Sequence, residues 1–389
     1  MSITSTATSA KGTHAMNNLA DLTTPYLLLD PEKMRANCER LQVHMDKLGV
    51  PLRPHVKTAK SVDIVRRMIP AGRGPITVST LKEAEYFAEH GFTDMTYAVG
   101  ISPDKLPRVA RLNRAEVTLR VLLDSKAQAE AVVAFAKMER LSIPALIEID
   151  CDGERAGLQP GDDKIVEIGR ILHENNQLAG ILMHAGGSYH CPDKAAKQAA
   201  AEHERMTAVA VKQQLLDAGL PCEIVSVGST PTAHFAKDLT GITEMRAGVY
   251  VFHDLVMAGI HVCSTDDIAI SVVATVIGHR SDKGWIMTDA GWMALSRDRG
   301  TAKQEVDQGY GLVCAMDGTP YPDLIVANTS QEHGVLALRK GSKAKLPELR
   351  VGSKVRILPN HACATASQFQ GYVVPDGDEL VFWPRINGW

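Results

Sequence analysis

The feature of this sequence that most restricts its fold is an alternation of short apolar runs with amphipathic stretches of helical spacing. The eight candidate strands are Leu52–Val56, Ile76–Ser79, Met95–Val99, Val117–Leu122, Ala145–Ile149, Gly180–Met183, Glu223–Val227 and Thr243–Arg246. The helical stretches between them include Leu81–His90, Ser125–Arg140, Asp162–Glu174 and Asp193–Ala218. Eight strands interleaved with helices predict an α/β fold, a (β/α)8 barrel of the TIM type. An open doubly wound sheet would alternate in the same way, but no GxGxxG follows the first strand.

After about residue 262 the pattern changes to strands joined by turns, without a strong helix between them. The candidate strands are Ile268–Ile277, Trp285–Thr288, Leu324–Ala327, Lys354–Leu358 and Leu380–Trp383. This pattern predicts a C-terminal antiparallel β domain. We therefore divide the chain into a leader at 1–20, a barrel at 21–260 and a β domain at 261–389. The strand at 24–29 could instead join the β domain, and the Ser-, Thr- and Ala-rich leader is predicted to be disordered.

Composition restricts the environment and the partners. Hydrophobic residues make up 45% of the 389 residues, charged residues 22%, and the formal net charge is -3 with no strongly basic segment. These values argue against binding to nucleic acid or to an anionic membrane surface. No apolar run approaches the ~18–20 residues that cross a bilayer. Seven cysteines without a short-spacing pattern indicate reduced thiols and a cytoplasmic protein.

Candidate site residues follow the predicted strands, because the catalytic groups of such barrels lie at the C-terminal ends of the strands. The predicted loop after the seventh strand contains Gly228, followed by Ser229 and Thr230. This segment offers backbone N–H groups and hydroxyls for a phosphate, and (β/α)8 barrels often bind phosphate at the loops after strands seven and eight. A plain Gly/Ser/Pro turn is the alternative interpretation. The candidates for cofactor binding are His55, Lys57, Arg155, His184, Tyr189, Gly228, Ser229, Thr230, Arg246, Gly248, Val249 and Tyr250.

Lys57 is the candidate for covalent chemistry. A lysine at the mouth of a barrel can be desolvated, which favours the neutral amine that reacts with carbonyl groups. Lys60 is its rival, since position alone does not separate the two. His55 could be a satisfied core residue, and His184 could either stack on a flat cofactor ring or line the barrel without a role.

Arg155 and Arg246 are cations at strand ends, and each has two interpretations. Either side chain could donate to the phenolic oxygen or the ring nitrogen of a pyridine. Either could instead pair with a nearby carboxylate, that of Asp150 or of Glu244.

The second domain contains the sequence His361-Ala362-Cys363 after a predicted strand. Residues at i and i+2 share one face of an extended segment, so the imidazole and the thiolate can converge on one ion. Two protein ligands would leave positions for water and substrate, which suits a catalytic metal better than a structural one. The pair alone is not specific for metal.

The segment Arg53–Thr58 resembles the pyridoxal-phosphate (PLP) lysine motif of fold-type III, alanine racemase-like enzymes, grouped as D-serine dehydratase-like and D-threonine aldolase-like proteins. The resemblance covers roughly residues 20–389. Similarity to the bacterial 3-hydroxyaspartate dehydratase branch of the family is found in the segments Val227–Thr232, Gly291–Gly300 and Ile386–Trp389. The other landmarks occur in the same order: Thr24-Pro25, Leu29-Asp30, Ser79–Glu83, Asp150–Gly157, Arg246–Asp254, Asp289–Gly291, Gln331–Gly334 and His361–Thr365.

The resemblance implies that Lys57 carries PLP as a Schiff base and that His361 and Cys363 bind a divalent metal, zinc, manganese or cobalt. It implies a homodimer, with an active site between barrel and β domain and with Arg246 facing the pyridine nitrogen. The expected reaction converts a β-hydroxy D-amino acid, such as D-threo-3-hydroxyaspartate or D-serine, into an α-keto acid and ammonia. The alternatives are retro-aldol cleavage of the D-threonine aldolase type, an alanine racemase-like activity and a non-catalytic PLP-binding protein.

Overall fold

The computed structural model describes residues 18–389. Its strands are β1 (Tyr26–Leu29), β2 (Leu52–Pro54), β3 (Ile76–Val78), β4 (Asp94–Gly100), β5 (Thr118–Leu123), β6 (Ala145–Ile149), β7 (Leu178–Met183), β8 (Ile224–Val227), β9 (Glu244–Ala247), β10 (Ile270–Arg280), β11 (Trp285–Thr288), β12 (Leu312–Cys314), β13 (Pro320–Thr329), β14 (Gly334–Leu338), β15 (Lys354–Leu358), β16 (Gly371–Asp376) and β17 (Glu379–Pro384). Its α-helices are α1 (Pro31–Leu48), α2 (Val62–Met68), α3 (Leu81–Glu89), α4 (Leu106–Arg114), α5 (Lys126–Glu139), α6 (Lys164–His173), α7 (Lys194–Asp217), α8 (Thr230–Phe235), α9 (Leu255–Gly259), α10 (Trp292–Leu295) and α11 (Ala362–Ala366).

Strands β2 to β9 form an eight-stranded parallel sheet that closes into a barrel. Each strand pairs with the next along the chain, and β9 returns to pair with β2. A parallel bridge between His55 and Thr77 joins β2 to β3, where Val56 N–H donates to Thr77 O at 2.9 Å. Helices connect successive strands, and the apolar residues between strands and helices form one core cluster. The predicted (β/α)8 barrel is confirmed.

The second sheet has nine strands in the order β11-β14-β13-β12-β15-β10-β1-β16-β17. Its strands pair antiparallel except where β1 meets β16. Strand β11 also pairs with β10, so six of the strands close into a ring. The predicted C-terminal antiparallel β domain is confirmed, and the division near residue 260 stays a prediction.

The N-terminal strand β1 lies in this second sheet, with Tyr26 opposite Val273 on β10. The predicted disordered leader, 1–20, falls almost entirely outside the described residues. Its last residues are an exception, because a 3-10 turn spans Leu19–Asp21 and its carbonyl groups accept hydrogen bonds from Lys354 Nζ. The prediction of disorder is therefore wrong for residues 18–20. Within 18–389 no helix is both long and apolar enough to cross a bilayer.

Candidate active site

A cavity of about 1110 Å³ lies at the C-terminal ends of the barrel strands, with residues of the β domain along its other side. Thirteen of the fourteen residues that the sequence singled out line it. They are His55, Lys57, Arg155, His184, Tyr189, Gly228, Ser229, Thr230, Arg246, Gly248, Val249, His361 and Cys363.

Tyr250 is the predicted cofactor-binding residue whose side chain does not line the cavity. It sits in the middle of a 3-10 turn, Val249–Val251, where consecutive side chains point in different directions. Its side chain is fully buried near Cys38 on α1, and its hydroxyl has no hydrogen-bond partner among the described residues. Burial raises the pKa of Tyr250 well above its usual value. The Tyr250 side chain therefore does not reach the cavity, and the prediction that Tyr250 binds the cofactor could hold only through its backbone.

The two rival lysines differ in their partners. Lys60 Nζ lies 3.0 Å from the fully buried Glu83 Oε1, and Lys60 does not line the cavity. Lys57 is exposed to the cavity and has no ion-pair partner among the described residues. The geometry therefore favours Lys57 as the reactive amine.

His55 supports the lysine loop as a neutral ring. Its Nδ1 accepts from Lys57 N–H at 3.4 Å, so Nε2 carries the proton and donates to Ser79 Oγ at 3.3 Å. Burial, together with the charges of Lys57 and Arg246, holds the pKa of His55 well below its usual value. His55 therefore takes part in the site instead of serving only as a core residue.

The loop after β8 is arranged differently from the sequence expectation. Gly228 N–H donates to the buried Glu204 Oε1 at 2.8 Å, and Ser229 N–H donates to Thr232 Oγ1 at 3.0 Å. These two N–H groups, which we expected to face a phosphate, are therefore occupied. Thr230 also lines the cavity, and its buried hydroxyl lies beside the Tyr189 phenol.

His184 is fixed against the same loop. Its Nδ1 donates to Gly228 O at 2.9 Å, and its ring centre lies 6.2 Å from that of Tyr189. Burial lowers the pKa of His184 to about 3, so the ring is neutral at pH 7. Two uncharged rings thus line this part of the cavity, which suits a flat cofactor.

Arg246 is fully buried at the end of β9. Its Nη1 donates to Ser226 Oγ and its Nη2 to Met183 O, each at 2.6 Å. The Ser226 hydroxyl donates in turn to Glu244, so Arg246 reaches that carboxylate only through Ser226. Burial lowers the pKa of Arg246 to about 10, which leaves it a cation at pH 7.

Arg155 is loosely held beside the cavity. Its side chain is 56% exposed and its Nη2 lies 3.8 Å from Glu148 Oε1. The Asp150 carboxylate, considered above as its partner, instead accepts from Gly153 N–H and from the Gln159 amide. The guanidinium is therefore available to a ligand.

His361 and Cys363 converge, but not on an extended segment. His361 caps helix α11 and Cys363 lies in its first turn, because the chain enters the helix directly after the imidazole. Cys363 Sγ lies 3.2 Å from Thr58 Oγ1, and Thr58 follows Lys57. Although burial opposes it, the Cys363 thiolate and Asp298 raise the pKa of His361, and His361 lowers that of Cys363. Within residues 18–389 no three or more His, Cys, Asp or Glu side chains are grouped so that they could hold a metal ion, and His361 with Cys363 stays a predicted pair of ligands.

Two carboxylates that the sequence did not single out hold this pair. Asp298 Oδ2 accepts from His361 Nδ1 at 2.7 Å, so Nε2 is the ring nitrogen that faces the Cys363 side chain and that an ion would bind. The fully buried Asp254 accepts from the N–H groups of Ala362 and Met257, both at 2.9 Å. Burial raises the pKa of Asp254. Both carboxylates lie in segments of the family resemblance, which was the only signal for them in the sequence.

Two family models match the chain. The model described as "Alanine racemase, N-terminal domain" matches residues 29–255, and "Putative serine dehydratase domain" matches residues 269–375. The chain belongs to the alanine racemase-like, fold-type III family of PLP-dependent enzymes. Within this family it is 48% identical to D-threo-3-hydroxyaspartate dehydratase from Delftia sp. strain HT23, over 96% of this chain and 100% of that protein.

The solved structure of that family member superimposes with a TM-score of 0.93, covering 96% of this chain and 100% of the other. Two of its variants replace a histidine and a cysteine two positions apart, the spacing of His361 and Cys363, and the cysteine variant is in a metal-free form. D-serine dehydratase from Dictyostelium discoideum is 30% identical, over 94% of this chain and 96% of that protein. D-threonine aldolase from Filomicrobium marinum is 26% identical with a TM-score of 0.79, over 94% of this chain and 96% of that one.

Proposed function

We propose that this chain is a PLP- and divalent-metal-dependent dehydratase of β-hydroxy D-amino acids such as D-threo-3-hydroxyaspartate or D-serine. The products are an α-keto acid and ammonia. The observation that carries the proposal is the 3.2 Å contact of Cys363 with Thr58, the neighbour of Lys57. One cavity therefore holds a reactive amine for the α-carbon and a metal-binding pair for the β-oxygen. The dehydratase relatives support the same activity.

The residues that line the cavity fit PLP. Lys57 would hold the cofactor covalently, and His184, Tyr189 and Arg155 would contact its ring and phenolic oxygen. Thr230, whose hydroxyl lies beside the Tyr189 phenol, would suit a phosphate oxygen together with the backbone of Gly248 and Val249, and the turn at Gly228 and Ser229 would shape the space beside it. When bound, PLP withdraws electrons from the α-carbon and so acidifies its proton.

The His361 imidazole and the Cys363 thiolate fit a divalent metal, since both are metal-binding donors and the cavity gives substrate access. A thiolate donor favours zinc, and an open site also accepts manganese or cobalt. A metal there would supply Lewis acidity towards the β-hydroxyl. The family resemblance and the seven free cysteines support a cytoplasmic homodimer as part of this proposal.

In the proposed reaction Lys57 is the base. Its amine, when not bonded to the cofactor, would accept the α-proton of the substrate. The β-carbon–oxygen bond breaks, and the hydroxyl leaves as water with one proton, which balances the α-proton that Lys57 accepted. One water then hydrolyses the resulting enamine to the keto acid and ammonia. Arg246 is a buried cation that lines the cavity, and if the pyridine nitrogen lay against it, its charge would keep that nitrogen unprotonated and favour prompt loss of the β-hydroxyl.

Product analysis tests this proposal. Metal- and PLP-loaded protein is incubated with D-threo-3-hydroxyaspartate, D-serine and D-threonine, and ammonia, keto acid, glycine, aldehyde and the L-enantiomer are measured. We expect ammonia and keto acid in equal amounts. Glycine and an aldehyde as main products would make the protein an aldolase, and conversion to the L-enantiomer would make it a racemase. No turnover of any substrate would favour a PLP-binding protein without catalysis.

Gly228→Val tests the phosphate end of the proposed cofactor site. Gly228 has φ +130, and a Cβ there would overlap the backbone of Arg246 on β9. We expect this variant to lose PLP on dialysis while its metal content changes little. Gly219→Val is the matched control, since Gly219 also has a positive φ but no neighbour within 4 Å of an added Cβ. Equal loss of PLP and metal in Gly228→Val would indicate general misfolding.

A further inference from the structure

We propose that Arg299 and Lys303 form the subsite that binds the second carboxylate of a four-carbon substrate, and so favour 3-hydroxyaspartate over serine. The inference rests on the proposed function and adds the substrate class to it. D-serine and 3-hydroxyaspartate differ only by a carboxylate on the β-carbon. A cation of the cavity that lies near the β-carbon of the substrate would therefore favour 3-hydroxyaspartate.

The metal-binding pair fixes where the carboxylate must lie. The β-hydroxyl and the β-carboxylate are bonded to the same carbon, so a group that binds the carboxylate must be close to His361 and Cys363. Asp298, whose carboxylate holds the His361 imidazole at 2.7 Å, begins a segment that continues along the cavity to Glu305. This segment, 298–305, carries Arg299 and Lys303, and both line the cavity.

Segment 298–305 is fastened at several points to the elements that hold the metal-binding pair. The Thr301 hydroxyl donates to Asn360 Oδ1 at 2.6 Å, next to His361 in the chain. Gln304 Nε2 donates to Val256 O at 3.0 Å on α9. The Gln304 amide also packs against Gly259, where an added Cβ would overlap it and displace the amide. The backbone that carries the two cations is therefore held in a defined place.

The other cations of the cavity have other positions or partners. Lys57 and Arg246 belong to the proposed cofactor site, and Arg155 is on the barrel, after β6. Arg299 is oriented by Asp307, 2.7 Å from its Nη2, and by the Tyr310 ring, 4.9 Å from its guanidinium carbon.

Lys303 is exposed and has no ion-pair partner among the described residues. The carboxylates of the segment are Asp298, which is engaged by His361, and Glu305, which is exposed. Lys303 is therefore the cation available to a substrate carboxylate, with Arg299 held beside it in the segment.

Lys303→Met tests the subsite through substrate preference. A charge-assisted hydrogen bond to a carboxylate corresponds to a change of about 10- to 100-fold in binding. We expect kcat/KM for D-threo-3-hydroxyaspartate to fall by that factor, mainly through KM, while kcat/KM for D-serine stays within about threefold. Arg299→Gln repeats the test at the second cation and should act in the same direction.

Glu305→Gln is the matched control, because it removes a charge of opposite sign from the same segment. We expect it to leave D-serine turnover unchanged and to raise kcat/KM for hydroxyaspartate about twofold to fivefold, through reduced repulsion. Direct binding of D-malate to the holoenzyme, measured by calorimetry, gives a readout independent of turnover, since malate has both carboxylates but no amine for the cofactor. D-malate should bind the wild-type protein more tightly than Lys303→Met.

Two results would overturn the subsite: unchanged hydroxyaspartate kinetics in Lys303→Met, or an equal loss for both substrates. The failure of the proposed function is seen separately, because wild-type protein would then release no ammonia from either substrate. If the protein proved to be an aldolase, the same variants would be compared on hydroxyaspartate and D-threonine cleavage, with the same expected loss for the dicarboxylate alone.

Discussion

Lys57→Ala is expected to remove the cofactor bond and the activity together while leaving the protein folded. Lys57 is proposed both to hold PLP and to accept the α-proton, and loss of the proton transfer alone costs about 10²- to 10⁴-fold in rate. The side chain points into the cavity without an ion-pair partner among the described residues, so its removal breaks no ion pair there. The measurements are the visible absorption of the bound cofactor, ammonia release, and circular dichroism as a test of folding.

Lys60→Ala is the control for this experiment. Its removal leaves the fully buried Glu83 without the ammonium 3.0 Å away, and breaking a buried pair costs about 3–5 kcal/mol of unfolding free energy. We expect this variant to be less stable than Lys57→Ala yet to keep its cofactor band. Borohydride reduction followed by peptide mapping should label Lys57 in the wild-type protein. A label on Lys60 would contradict the assignment.

The barrel could be predicted from the sequence because its strands are buried on both faces. The predicted run Ala145–Ile149 agrees with β6 at both ends, and its five residues are all buried. In the β domain, by contrast, the sequence did not reveal β12, β14 and β16. Strand β12 has three residues and is stabilised by pairing with β13 and with β15, about forty residues later. Such long-range pairing leaves little signal in the local sequence. Strand β16 was missed for a second reason, because it contains Pro375 and proline argues against a strand in sequence-based prediction.

The cavity could be predicted because the strands of a parallel barrel all have their C-terminal ends at the same end of the barrel. That rule gives no side-chain direction, which is why it could not show that the Tyr250 side chain is buried away from the cavity. It also gives no hydrogen-bond partners. Glu204 occupies the Gly228 N–H from the middle of α7, twenty-four residues earlier. This hydrogen bond depends on how α7 packs against β8, and no pattern in the local sequence predicts it.

Removing the metal, or replacing His361 by alanine, is expected to abolish ammonia release while PLP stays bound. A Lewis acid on the departing oxygen contributes several kcal/mol, so we expect a loss of at least about 10³-fold. Asp298→Asn provides a graded comparison, because it weakens the group that orients His361 without removing a ligand, and such changes cost about 10- to 100-fold in metal affinity. Metal content, absorbance and ammonia are measured on the same samples.

Comparing ammonia release by the wild-type protein, Asp298→Asn and His361→Ala at increasing metal concentration distinguishes a catalytic metal from a structural one. If the metal acts on the β-hydroxyl, excess metal should restore Asp298→Asn towards wild-type turnover, since only its affinity is reduced, but should not restore His361→Ala. Metal uptake should release a proton, because histidine and cysteine bind a metal in their deprotonated forms and the metal-free pair shares one proton that must leave. Thermal unfolding should shift little between loaded and chelated protein, since Asp254 holds the Ala362 N–H and so anchors the ligand segment without metal. Full ammonia release after chelation would contradict the role of the metal and leave that of Lys57 intact.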